Sequence, residues 1–193
     1  MMKRITTPLS DEDVKNLHAG EEVLISGIIY TGRDAAHKKL CALIDEGKDL
    51  PVDLRGQVIY FAGPTPVRPG RVIGSVGPTT SYRMDPYSPT LISRAGLRGM
   101  IGKGQRNLAV KDAMAEGPAV YFAAVGGAGA LLSGKIIECE TAAYPELGPE
   151  AIYKCTVKDF PVIVATDCRG KDLYEDGPAS FRGESVKEKK KKS

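Results

Sequence analysis

The chain has no tryptophan, and aromatic residues make up only 6% of its 193 positions. Platforms on which nucleobases could stack are therefore scarce. No apolar run is long enough to cross a bilayer and no signal peptide opens the chain, which reads as a cytoplasmic protein with no membrane partner. The four cysteines, Cys41, Cys139, Cys155 and Cys168, stand 98, 16 and 13 positions apart, with no CxxC pair and no Cys/His cluster. That spacing argues against a self-contained metal site and predicts buried, reduced thiols. A broad charge excess is missing too. The formal net charge is +3, but Lys187–Lys192 alone supplies +4 and leaves the remainder at −1. Such a near-neutral body lacks the basic face that tracks a phosphate backbone, so no nucleic-acid partner is expected.

What is present suits one globular domain: 42% hydrophobic residues for a continuous core and 22 glycines for small-residue packing and turns. Residues 1–183 are expected to form that domain and 184–193 a basic, disordered tail. Ser10, followed by three acidic residues, caps a short helix reaching about Leu17. A β-branched run predicts a strand over Glu22–Tyr30, and a change to helical periodicity predicts a helix over Asp34–Asp45. Strands are expected at Val58–Ala62 and Arg71–Val76, joined hairpin-like by a Pro-rich loop. A helix from near Pro86 to Ala95, a strand at Leu97–Ile101, a helix at Leu108–Glu116 and a strand at Val120–Val125 follow. The last third predicts a helix at Ala130–Ile137 and strands at Tyr153–Val157 and Pro161–Ala165. The mixture of helix-separated and hairpin-like connections points to an α/β domain of layered, mixed sheets rather than a simple doubly wound one.

Residues suited to anion chemistry gather at the predicted strand exits. Arg33 and His37 lie four apart at a strand-to-helix junction, where free N–H groups and the helix dipole favour a carboxylate. Thr79 and Thr80 follow a Gly-Pro pair, Arg83 and Asp85 come just after, and Lys103 sits between two glycines. Two arginine forks can each hold one end of a small dicarboxylate, with Lys103 adding a third positive charge. Thr79 can bond substrate or move a proton, provided that neighbouring cations stabilise its alkoxide. Asp85 is expected to play a structural role, pairing with Arg83 or capping the helix at Pro86. GKGQRN has the spacing G-x-G-x-x-N, which breaks the dinucleotide fingerprint.

The segments TGRDAAHKKL, SVGPTTSYRMD, GMIGKG and AVGGAGAL together resemble the beta subunit, or C-terminal domain, of class I iron–sulfur fumarases and the related tartrate dehydratases, from about Ile5 to Leu173. The resemblance implies a swivelling β/β/α domain and a hydro-lyase interconverting (S)-malate and fumarate. It also implies an alpha-subunit partner in a hetero-oligomer, which carries a 4Fe-4S cluster that this chain does not bind. Matched by motif, Arg33 and Arg83 are substrate-carboxylate binders, Thr79 is the residue proposed as catalytic base, Lys103 is a further substrate contact, and His37 is an active-site position of the tartrate dehydratase branch. TGRDAAH and RMD look more like fumarase than the CRDVCH and RME of tartrate dehydratases, whereas Tyr82 replaces a glycine common in fumarases. An L(+)-tartrate dehydratase beta subunit and a non-catalytic anion-binding module are the alternative expectations.

Overall fold

The computed structural model describes residues 2–67, 69–124 and 128–177; the expected tail at 184–193 lies outside them. Seven strands are described: β1 (Lys3–Thr6), β2 (Glu22–Thr31), β3 (Val58–Tyr60), β4 (Gly99–Gly102), β5 (Val120–Ala123), β6 (Ile136–Ala143) and β7 (Ile152–Thr166). Helices α1 (Asp11–Lys15), α2 (Asp34–Asp45), α3 (Ser88–Ala95), α4 (Leu108–Glu116) and α5 (Gly129–Ser133) accompany them among the described residues, with a further helical stretch at 173–177. Short 3-10 turns cover Ser81–Met84 and Pro145–Glu150.

The strands form one mixed sheet in the order β1-β2-β3-β4-β5-β7-β6, and β7 also pairs with β2. Strands β2, β3, β4, β5 and β7 thereby close into a ring, which leaves these five without a free edge. From β1 to β5 every pairing is parallel, whereas β7 runs antiparallel to β2, β5 and β6. The layered α/β class expected from the sequence is observed, with ring closure as the added feature.

Strand alternation divides the apolar side chains into two clusters. Ile25, Ile29, Val58, Tyr60, Ile101, Phe122 and Val164 belong to one, which fills the ring. Their neighbours Ile59, Phe61, Met100 and Tyr121 point the other way, against Leu40 of α2, Leu91 of α3 and Val110 of α4. This is the period-two geometry of a strand buried on both faces. Tyr60 fits the ring interior because its hydroxyl donates to the Val76 carbonyl at 2.9 Å.

Helix α2 has the predicted bounds, as does α4, where the Asn107 side chain accepts from the Val110 N–H at 3.0 Å. Ser10 and Asp13 form a reciprocal capping box on α1, which stops at Lys15. Other expectations are corrected. Arg71–Val76 is irregular rather than a strand. Pro64 and Pro66 opposite it offer no N–H, and between the two segments the backbone bond from Thr65 to Ser75 stands in place of a ladder. The expected helix over Ala130–Ile137 ends at Ser133 and gives way to β6, because Ile136–Ala143 gains a ladder along β7 that its helix-compatible composition does not foretell. The two expected C-terminal strands are one continuous β7, bent at Asp159 with φ 50°. Cys139 and Cys155 stand opposite each other in the β6–β7 register and are joined as a disulfide, contrary to the expectation of four reduced thiols. Sequence spacing alone carries no sign of that cross-strand pairing.

Gly27 marks a register shift in the β2–β7 ladder and has φ +105°. A Cβ there would stand 2.6 Å from Thr7 Oγ1, which donates to the Ile28 carbonyl. Gly27→Ala is therefore expected to destabilise the fold by about 1–3 kcal/mol, read as a lower urea midpoint with an unchanged m-value.

Candidate functional site

The parallel register sets four strand ends level. Thr31 pairs with Tyr60, Tyr60 with Ile101 and Ile101 with Phe122, so β2 to β5 all exit along the same edge. In open parallel sheets this carboxyl-end edge is where ligands bind. Arg33 follows β2 as the N-cap of α2, and Lys103 follows β4. Thr79 reaches the same edge by donating its N–H to the Phe61 carbonyl at 2.7 Å, just past β3. Thr80 bridges to Lys103 in parallel fashion, and the Ser81 N–H donates to the Lys103 carbonyl at 2.9 Å. Arg83 rides on the 3-10 turn beginning at Ser81 and donates from Nε to Asp34 Oδ1 at 2.9 Å. Arg33, Thr79, Arg83 and Lys103 therefore share one strand-exit edge despite their distance in sequence.

A buried polar platform supports the loop that carries Thr79 and Arg83. Arg106, with a fully buried side chain, donates from Nε to Asp85 Oδ1 at 2.6 Å and from Nη2 to Ser88 Oγ at 2.6 Å. Its guanidinium lies 5.2 Å from the Phe61 ring centre and 5.1 Å from that of Tyr121. Burial pushes the Arg106 pKa down, while the Asp85 charge opposes the shift. Asp85 Oδ2 accepts the Asn107 N–H at 2.9 Å, so Asp85 ties the 3-10 turn to the start of α4. The structural role foreseen for Asp85 is present, but its partner is Arg106 rather than Arg83. Ser81 and Tyr121 share a hydroxyl hydrogen bond of 2.9 Å, and Tyr121 also donates to the Gly104 carbonyl at 2.8 Å. This network, like Glu150 beside Arg33, escaped sequence reasoning; the strand-exit position of GKGQRN was the nearest signal for Arg106.

His37 lies beneath this edge rather than on it. It has no exposed surface, packs edge-on against Phe61 at 5.3 Å between ring centres, and places Nδ1 2.8 Å from the Arg33 carbonyl oxygen. A carbonyl only accepts, so this bond requires the proton on Nδ1, and Nε2 has no partner among the described residues. By contrast, Arg33 is 24% exposed, Arg83 is 42% exposed, Lys103 is exposed and Thr79 is half-buried. Among the described residues the Lys103 side chain makes no ion pair. A cavity of about 210 Å³ is lined by Thr65, Arg71, Ser75 and Ser133 and holds none of these four groups. The cationic edge is thus an open face.

Burial, aided by the Asp45 charge, pushes the Cys41 thiol up to about 11, away from the thiolate that binds iron. Cys139 and Cys155 are joined to each other. Among the described residues no three His, Cys, Asp or Glu side chains gather as metal ligands, nor is any helix long and apolar enough to cross a membrane.

Burial is the largest influence on His37 and holds its pKa down at about 4. The unfolded chain, titrating near the ordinary value of about 6.5, then binds the proton more readily than the folded one between these limits. Stability from this group is complete above pH 6.5 and is lost as pH falls toward 4, by on the order of 3 kcal/mol. Imidazole NMR signals of His37 are expected to stay constant from pH 8 to about 5.5; a midpoint near 6.5 would contradict the burial argument.

Comparison with known proteins gives the same region a lineage. Residues 2–177 match the family described as Fumarase C-terminus. The chain is similar to the anaerobic class I fumarate hydratase of Escherichia coli strain K12, 41% identical over 175 residues, covering 90% of this chain and 31% of that protein. It is 38% identical to fumarate hydratase 2 of Leishmania major over 156 residues, covering 80% of this chain and 28% of that protein. It is also 32% identical to the L(+)-tartrate dehydratase subunit beta of Escherichia coli strain K12, covering 94% of this chain and 90% of that subunit. The chain spans about a third of the length of these two fumarate hydratases. With its described fold lying wholly inside the matched region, the chain belongs to the fumarase C-terminus family.

Proposed function

We propose that this chain is the beta-type half of a class I fumarate hydratase, reversibly dehydrating (S)-malate to fumarate at a site completed by a cluster-bearing alpha partner. The observation that carries the reading is the convergence of two arginines, a lysine and a threonine on one open strand-exit edge. Arg33 and Arg83 bind the two substrate carboxylates, since planar forks suit them and the α2 N-terminus favours negative charge. Thr79 Oγ, as the alkoxide that neighbouring cations stabilise, accepts the proton from the carbon next to a carboxylate; the C–H electron pair forms the double bond and the hydroxyl on the adjacent carbon leaves with its bonding pair as hydroxide, for which the partner's cluster would supply a Lewis acid. Lys103 steadies the extra negative charge that gathers on that carboxylate in the transition state.

His37 acts from below. Its burial and its bond to the Arg33 carbonyl favour holding the β2–α2 junction over touching substrate. The 4Fe-4S cluster belongs on the partner in this reading, because a half-buried Cys41 with a raised pKa and a disulfide-joined pair are poor iron ligands. Fumarate and malate lead over tartrate because the GRDAAH and RMD segments look like the fumarase branch. The similarity to a tartrate dehydratase subunit keeps tartrate as the second substrate to assay.

Anaerobic co-expression with the alpha partner, followed by assays with malate, fumarate and tartrate, tests the reading. The pair is expected to turn over malate, and the isolated chain to be inactive; an active isolated chain, or turnover of tartrate alone, would overturn it. In the assembled enzyme, Thr79→Ala should lower kcat by about 100- to 10,000-fold with little change in complex formation. Arg83→Lys should raise KM by roughly ten- to a hundredfold as the two-pronged contact is lost.

A further inference from the structure

Two carboxylates meet the two arginines at the N-terminal end of α2. Asp34 Oδ1 accepts from Arg83 Nε at 2.9 Å, and Glu150 Oε1 lies 3.4 Å from Arg33 Nη2. The other oxygen of Glu150 accepts the Ala35 N–H at 3.3 Å, so one side chain joins Arg33 to the first turn of the helix it caps. The stem of Arg33 is boxed in from another side. A Cβ on Gly63 would stand 3.3 Å from Arg33 Cδ and 2.6 Å from the Pro149 carbonyl oxygen, so glycine lets the Pro145–Glu150 turn close over Arg33.

These pairs are too exposed to do much for folding. Arg83 and Asp34 are 42% and 28% exposed, and Arg33 and Glu150 are 24% and 29% exposed. Pairs of that kind typically contribute about 0–1 kcal/mol. Their geometry serves orientation better. Asp34 engages Arg83 at Nε, leaving the two terminal nitrogens with no partner among the described residues. Those two nitrogens form a fork that matches a carboxylate. A long arginine side chain gives up about 2 kcal/mol of rotamer entropy when fixed, and fixing it in advance removes that cost from substrate binding. An acid beside an arginine also cancels part of its attraction for an anion. The two effects have opposite signs in KM, which makes the choice between them measurable.

We propose that Asp34 and Glu150 are positioning residues that orient Arg83 and Arg33 for the two ends of a dicarboxylate. This inference rests on the reading of those arginines as substrate-binding groups.

The test measures steady-state kinetics of the assembled enzyme with (S)-malate, alongside amide and arginine side-chain NMR spectra of the isolated chain. Asp34→Ala and Glu150→Ala are expected to raise KM about tenfold, the scale of one charged hydrogen bond, with kcat nearly unchanged. Asp34→Asn and Glu150→Gln keep an acceptor oxygen and should recover most of the loss. In the isolated chain the Arg83 Nε–H signal should move in Asp34→Ala and hold its position in Asp34→Asn. Arg33→Lys and Arg83→Lys are the controls. If neither control raises KM, the substrate-binding reading fails. If the controls raise KM but the alanine variants lower it or leave it unmoved, the positioning role fails while the binding reading stands.

Discussion

The parallel register of β2 through β5 is the constraint on which the site depends. Because Thr31, Tyr60, Ile101 and Phe122 sit at one level, the residues that follow them leave the sheet along one edge. Ring closure by β7 makes that register hard to change. A one-residue slip in any of these strands would turn ring-filling side chains toward the helices and expel the other set from its place. The chemistry of the edge is thus secured by hydrophobic burial well below it.

Above that foundation the polar groups are arranged in two tiers with different physical roles. The lower tier is dry: Asp85, Arg106 and Ser88 satisfy one another in burial, with the rings of Phe61 and Tyr121 close to the guanidinium. A buried pair of this kind is sensitive to loss of either member, since the remaining charge would be stranded at a cost of about 3–5 kcal/mol. The upper tier is wetter and weakly bound, with Arg33, Arg83 and Lys103 still reaching solvent. Rigid support beneath partly exposed cations suits the anion-binding role proposed for this edge.

Local patterns revealed the parts of this design that local physics controls. Helix α2 was legible from its helical periodicity and the glycine that follows it, and α4 from the Gly117-Pro118 pair at its end. The candidate residues stood out because arginine, threonine and lysine beside glycines at strand exits are unusual in a near-neutral body. What escaped is decided by contacts between distant segments. Strand β6 has a helix-compatible composition and is a strand only because β7 offers it a ladder. Asp85 had a plausible partner two residues away, yet Arg83 turns to Asp34 and leaves Asp85 to Arg106, 21 positions on. Glu150 lies on an irregular turn far from Arg33, with no local signature to mark it. The proton-acceptor role proposed for Thr79 is likewise invisible to pattern, because it depends on fields that only an assembled site supplies.

The most direct test of the account is a crystal structure of the assembled alpha–beta complex with (S)-malate bound. One substrate carboxylate is expected on the Arg33 guanidinium and the other on that of Arg83, with Thr79 Oγ facing the carbon that loses its proton and the partner covering the open edge. Substrate held away from these side chains, or a partner docked on another face so that the edge stays open, would contradict it.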